Sequence, residues 1–244
     1  MEFSRSALMN ALDGLIEAGY KNGRQLAYVI CCLAVLVAAF LGYLQYDSSM
    51  QASAHKAFVE ALKYHDAAVV PGSQTVVTGD AYQFGSDVEK WKAAEVVFAD
   101  AASSYKGTRL GPVLRAYRAD ALVQLGNYEA ALSELKSAVS SMASEEVKDF
   151  YKVKLALLKT DSPNAATAQE GFAELKHMAE QADHLAHEEA LYYVGAYFWA
   201  HKDYAQARNY WQQLMVKYGL KESKQNAGFA ELVRSKLKLI SADW

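Results

Sequence analysis

The sequence predicts an all-α protein: a single transmembrane helix near the N-terminus, then an α-solenoid of about four helical hairpins closed by a C-terminal capping helix. Three observations carry this reading. Residues 26–44 form an uncharged apolar run. Related segments recur downstream at a step of nearly 40 residues. Three prolines and 14 glycines in 244 residues leave too little turn material for a many-stranded sandwich or barrel.

Composition narrows the function classes. Apolar residues make up 52% and charged residues 22% of the chain, which is the balance of a folded protein and not of a disordered one. A net charge of −3 argues against nucleic-acid binding, which needs a basic face to displace counterions from phosphates. The two cysteines, Cys31 and Cys32, are adjacent. They can build neither a disulfide framework nor a zinc site and read as small apolar residues.

Residues 1–24 read as a cytoplasmic tail. Leu8, Leu12, Leu15 and Ile16 share one helical face, with Asn10, Asp13 and Glu17 elsewhere. The tail balances Glu2, Asp13 and Glu17 against Arg5, Lys21 and Arg24, so it is not a polybasic lipid anchor. It is a lead-in helix, or one that lies on the membrane surface or meets a partner.

Residues 25–46 read as the transmembrane helix. The sequence LAYVICCLAVLVAAFLGYL rises about 28 Å as a helix, close to the roughly 30 Å of a bilayer core. Tyr28, Tyr43 and Tyr46 lie near its ends, where amphipathic rings prefer the interface. A cleaved signal peptide is the competing reading, since Ala52-Ser53-Ala54 resembles a cleavage site. Against it, about 25 residues precede the run, and the site lies well beyond its end. Arg5, Lys21 and Arg24 before the span, against Lys56 after it, place the N-terminus in the cytoplasm. Ala34, Ala38 and Gly42 recur every four residues. Such a stripe lets another helix approach closely, or reflects the ordinary composition of spans.

Residues 47–244 are then exported, in a bacterium to the periplasmic side of the inner membrane. The segment Gly126-Asn-Tyr128 leads into Ala131, Leu135 and Ala138, and Lys202-Asp-Tyr204 leads into Ala207, Trp211 and Leu214. Both resemble the turn and second helix of a tetratricopeptide repeat. Weaker copies place Ala94 and Phe98 before Ala101, and Ala168 and Phe172 before Leu175. The alanines at 94, 131, 168 and 207 are 37, 37 and 39 residues apart, near the roughly 34 of the standard repeat. No hairpin buries its apolar stripe alone, so neighbours stack and share a core.

The pattern places helices near 48–66, 87–104, 109–125, 127–142, 145–159, 164–181, 185–201 and 203–218. A cap follows near 222–240, carrying Phe229, Leu232, Val233, Leu237 and Ile240. The stretch 67–86 interrupts the first hairpin. It is a binding loop, a short hairpin turning at Pro71-Gly72 around Val70 and Val76, or a tolerated surface insertion.

Enzymatic signatures are missing: no Gly-x-Ser-x-Gly elbow, no phosphate-cradling glycine loop, no dinucleotide fingerprint. The exported part holds no cysteine nucleophile. His177, His184, His187, Glu188 and Glu189 form one metal-like cluster. A turn near Asp183 is expected to send His177 elsewhere, leaving solvated polar residues at a turn. No catalytic residue, cofactor or metal is assigned, and neither nucleic acid nor a small-molecule substrate is expected.

Aromatic residues gather in the last repeat. Phe198, Tyr204 and Trp211 occupy core positions of the repeat pattern. By resemblance to the repeat, Tyr192, Ala196 and Trp199 fall on the concave face that binds extended peptides or partner helices. Glu189, Phe150, Val153, Leu157, Val113, Ala116, Asp120 and Val123 would line the same groove. Either that groove is open to a partner or the aromatics are internal packing. The subclass that clamps acidic C-terminal tails places lysine and asparagine where this chain has Val113, Ala116, Asp120, Tyr192 and Ala196, so that reading is set aside.

A short tail, then Tyr20-Lys-Asn-Gly-Arg24-Gln-Leu-Ala entering one span, then a repeat domain of about 200 residues: this architecture resembles the YfgM-like family, the ancillary subunit of the SecYEG translocon. The resemblance implies a non-catalytic scaffold on the periplasmic face of the inner membrane. It would act beside the Sec channel and a membrane-anchored periplasmic chaperone. A scaffold for a different envelope complex, in secretion, cell division or motility, is the alternative.

Overall fold

The computed structural model describes residues 13–14, 23–78, 81–218 and 229–242. The apolar face of the tail (Leu8, Leu12, Leu15, Ile16) and the expected start of the cap at 222–228 lie outside them. Among the described residues the chain is helical apart from one small sheet. It divides into two compact units, Met1–Ser53 and Ala54–Trp244, whose boundary falls inside the first helix.

That helix, α1, runs unbroken from Gly23 to His65. The sequence separates a span ending at 46 from a helix near 48–66, yet the structure has no break there. Nothing between Tyr46 and Met50 stops a helix: there is neither proline nor glycine. Within the apolar window mean hydropathy reaches 2.5 and no residue is buried. This is one helix long and apolar enough, by length and composition, to cross a membrane.

In the second unit α1 supplies Ala54 and Ala61, both fully buried. A three-stranded sheet follows: β1 (Ala68–Val69), β2 (Val76–Thr78) and β3 (Ala81–Phe84), in the order β1-β3-β2. β3 pairs parallel with β1 and antiparallel with β2. Of the three readings of this stretch, this corrects the short hairpin at Pro71-Gly72. Val70 N–H donates to the Phe84 carbonyl at 3.0 Å and does not face Val76. Phe84, 2% exposed, packs near Tyr64 of α1, and Tyr82 hydrogen-bonds Glu60. The segment is therefore seated on α1 by its aromatic residues.

Eight further helices are described: α2 (Asp87–Ser104), α3 (Gly111–Gln124), α4 (Tyr128–Ser141), α5 (Glu145–Thr160), α6 (Ala165–Glu180), α7 (His187–Ala200), α8 (Tyr204–Tyr218) and α9 (Phe229–Ala242). Local chemistry fixes their ends. Ser86 accepts the Glu89 N–H at 3.3 Å and Ser144 the Val147 N–H at 3.4 Å, while Asn164 Oδ1 accepts from Ala166 and Thr167. Gly126 turns left-handed between α3 and α4 with φ 77°. Lys202 does the same between α7 and α8 with φ 62°, a conformation glycine adopts at no steric cost.

From α2 on, each helix packs against its neighbour in sequence, and α9 lies against both α8 and α7. The core has three centres: around Ala61, Phe98 and Leu114, around Ala119, Leu135 and Tyr151, and around Leu175, Leu191, Trp211 and Val233. Ion pairs tie the layers at their edges. Arg118 of α3 reaches Glu95 of α2 at 2.8 Å and Glu134 of α4 at 2.9 Å. Lys159 of α5 sits between Glu170 and Glu174 of α6 at 2.8 and 2.7 Å.

Ala94, Ala131 and Ala207 are fully buried at helix crossings. The third copy departs from its expected register. Ala168 and Phe172 are only half-buried, whereas Gly171 is buried. A methyl group on Gly171 would lie 2.5 Å from the Ala156 carbonyl oxygen and 2.5 Å from the Thr160 nitrogen. Gly171, Leu175 and Met178 thus take the places that Ala131, Leu135 and Ala138 take in α4. The small residues at the crossings are 37, 40 and 36 apart.

Candidate partner-binding surface

The groove residues expected from the sequence lie on α3, α5 and α7, the first helix of each later pair. On α3, Ala116 is fully buried, while Val113, Asp120 and Val123 are half-buried. On α5, Val153 is 3% exposed and Leu157 half-buried, but Phe150 stands 46% exposed. On α7, Glu189, Tyr192, Ala196 and Trp199 are all half-buried. Ala116 and Val153 therefore leave the groove. Ala116 packs in the core around Ala119 and Leu135, Val153 in the core around Leu175 and Leu191. Helices covered on two sides bury both stripes, which residue spacing alone does not reveal.

The residues around Phe150 form a mixed polar and aromatic surface. Lys154 of α5 donates to Asp120 of α3 at 2.9 Å. Its ammonium lies 6.0 Å from the Tyr117 and Phe150 rings and 5.5 Å from Tyr151. Tyr151 itself is buried, and burial pushes its phenol well above the usual range. Val147, one turn before Phe150, is 40% exposed. Nothing in the expected list named Lys154 or Val147. Their i, i+3 and i+4 spacing around Phe150 is the signal that could have found them.

The aromatic surface of α7 is differently placed. Tyr192 and Tyr193 pack on Phe229 of α9 with ring centroids 4.7 and 5.7 Å apart. Trp199 meets Tyr204 at 5.0 Å and Trp211 at 5.7 Å, and Lys236 of α9 lies 5.6 Å from both indoles. The chain's own last helix contacts this surface, as the internal-packing alternative requires. Of the residues assigned to the core, Trp211 is fully buried, while Phe198 and Tyr204 are half-buried against Phe172, Tyr210 and Trp199. Burial raises the Glu189 carboxyl above its usual range, with the Glu188 charge adding to it, and burial likewise raises the Tyr193 phenol.

The histidine cluster separates into two environments. His177 and His184, expected apart, line one cavity of about 420 Å³ with Lys152, Leu155, Glu174, Met178 and Gln181. His187 turns from it and meets the Tyr218 hydroxyl at 2.8 Å. Among the described residues no group of three or more His, Cys, Asp or Glu side chains could hold a metal ion. On α1, Ala34, Ala38 and Gly42 are exposed, and a methyl on Gly42 would touch nothing within 4 Å.

Compared with known proteins, the chain matches no protein-family model, no curated protein and no solved structure.

Proposed function

We propose that this chain is a non-catalytic scaffold anchored in a bacterial inner membrane by the apolar half of α1, with its N-terminus cytoplasmic. The helices beyond the bilayer form a tetratricopeptide-like solenoid in the periplasm, capped by α9, which grips other polypeptides. Support for the repeat comes from the buried small residues at three crossings and from the left-handed turns at Gly126 and Lys202. Support for the anchor comes from the exposed apolar window of α1.

The observation that carries docking is Phe150. It is a large aromatic left 46% exposed beside the Lys154–Asp120 pair. Aromatic anchors with a charged rim are the pattern of binding hot spots. The docking face is thereby assigned to α3 and α5, with Val113, Asp120, Val123, Phe150 and Leu157, and away from the surface of α7 packed on α9. The partners follow from the resemblance to the YfgM-like family: the Sec translocon and a membrane-anchored periplasmic chaperone. The second reading is a scaffold for another envelope complex.

A photo-crosslinking residue at position 150 of the full chain in cells tests this. Adducts with translocon and chaperone subunits are expected. A single structural partner from another envelope machine would favour the second reading. A chain that forms no protein adduct from position 150 but forms them from another exposed position, such as Val96 on α2, would remove the docking face.

A further inference from the structure

Away from the docking face, chemistry gathers in two adjoining places. In the cavity beside His177 the polar groups are already engaged within the chain: Lys152 with Asp149 at 2.6 Å, Glu174 with Lys159 at 2.7 Å, His177 with Gln181 at 2.9 Å. That leaves His184, which belongs to the turn leading into α7.

α7 starts at His187, and its N-cap, Ala186, has no side-chain acceptor. Two imidazoles close the helix start instead. His184 Nδ1 accepts the Ala186 N–H at 3.1 Å, so the neutral ring carries its proton on Nε2. That atom faces Asp149 Oδ2 of α5 at 3.8 Å. His187, 7% exposed, meets the Tyr218 hydroxyl of α8. Protonation removes the His184 contact and places a charge on buried His187, whose contact with the Tyr218 hydroxyl an imidazolium can still make as donor. An imidazolium has no lone pair left to accept from Ala186. A charge on either ring would face the positive end of the α7 dipole.

The surrounding charges are mixed. Asp183 precedes the two rings, and Glu188 and Glu189 follow them in the first turn. Asp149 and Lys152 face His184 from α5, and Glu174 and His177 from α6. Lys217 of α8, which donates to the Ala182 carbonyl, disfavours charge on His187 together with His184, and Asp183 favours it. Asp149 is buried and stands just beyond hydrogen-bond distance of Nε2. It is placed to receive His184 once the ring is charged and the Ala186 contact is lost.

We propose that the start of α7 is a proton-operated latch: neutral His184 holds the Ala186 amide, and its protonation, with that of buried His187 beside it, releases this amide and passes His184 to Asp149. Protons come from and return to solvent. Protonation of the imidazoles is the switching event, so acidification of the compartment works the latch. Release loosens the helix that carries Tyr192, Tyr193 and Trp199 against α9.

Amide hydrogen exchange of the full chain in detergent micelles, corrected for intrinsic pH dependence, tests this. From pH 7.5 to 5.5, exchange at Ala186 and His187 is expected to quicken about tenfold. The combined His184→Gln and His187→Gln variant should show no such change. Asp149→Asn, which removes the receiving carboxylate, should show a smaller one. A wild-type chain with pH-independent exchange at these amides, or a response persisting undiminished in the double variant, overturns the latch. If the double variant lacks helix at pH 7.5, His184→Gln alone decides. The Ala186 amide then becomes insensitive to pH, or keeps its response and sinks the proposal.

Discussion

The indole N–H of Trp211 donates to the carbonyl oxygen of Tyr192 at 3.1 Å. It reaches across from α8 to α7 because Gly195 leaves room for the ring, where a side-chain methyl would overlap the indole. The ring is fully buried, so its one polar atom needs this partner. Gly195→Ala is therefore expected to destabilise the second unit by about 1–3 kcal/mol through overpacking, despite the better helix propensity of alanine. Thermal unfolding by circular dichroism reads the change. An unaltered or higher melting temperature would show that the two helices do not cross at this glycine.

The crossing of α5 and α6 makes a second case. A methyl on Gly171 meets backbone atoms of α5 at 2.5 Å, and backbone cannot rotate away as a side chain can. Gly171→Ala should cost about 2–3 kcal/mol. Ala168→Ser, at the position the repeat spacing first selects, should change stability by less than about 0.5 kcal/mol. Equal losses from the two substitutions would restore the original register.

Lys202 holds a left-handed backbone with φ 62° where the matching turn has Gly126. Lys202→Gly is expected to gain about 1 kcal/mol by relieving that conformation. Denaturant melts of the two chains measure the gain. A loss would mean that the unfolded-state entropy of glycine outweighs the strain.

Stability should fall with acidification through His187. Burial holds its imidazole below the usual range, with Lys217 and His184 adding to the effect. The unfolded chain therefore takes up the proton first. Its contribution is complete above the unfolded value near 6.5 and is lost as pH falls below it. Glu189 acts in the opposite sense. Its raised pKa penalises the charged form above that value, and the penalty lifts as pH falls. His187→Gln should flatten the fall in melting temperature between pH 7 and 5. Glu189→Gln should raise the melting temperature at pH 7.5 and make the fall steeper. Melting temperatures with the same pH slope in both variants would contradict the assignment.

Membrane insertion has its own test in Leu36, 67% exposed in the middle of the apolar window of α1. Leu36→Arg is expected to cost about 2.5–3.5 kcal/mol of insertion free energy. The fraction of chain that resists alkaline extraction from membranes should drop. A wild-type chain recovered wholly in the soluble fraction would refute the anchor.

The helices were legible because each apolar stripe repeats every three to four residues over several turns, so even α2 falls at the expected 87–104. The register of the third copy was not. Alanine is common and unspecific, while Gly171 reads locally as a poor helix former; only its contact with α5 explains it. Of the three readings of 67–86, only the short hairpin offered strands, and it drew them from the turn residues Pro71 and Gly72 alone. The parallel pairing of β1 with β3 depends on Phe84 and Tyr82 being seated on α1, which is a non-local contact.

Among the expected groove residues, Ala116 and Val153 share the spacing of Phe150, and spacing does not say which stripe a second neighbour covers. His177 and His184 lie on either side of a turn, and only the path of that turn brings them to one cavity.

By itself the amino-acid sequence determined the helical class, the apolar segment and nearly every helix end, because these follow from interactions within a few residues of each other. Which surfaces remain open was decided only by the tertiary structure. Whether an aromatic ring stands exposed, like Phe150, or covered, like Tyr192, depends on where a distant helix such as α9 comes to rest, and burial is a property of neighbours and not of the residue.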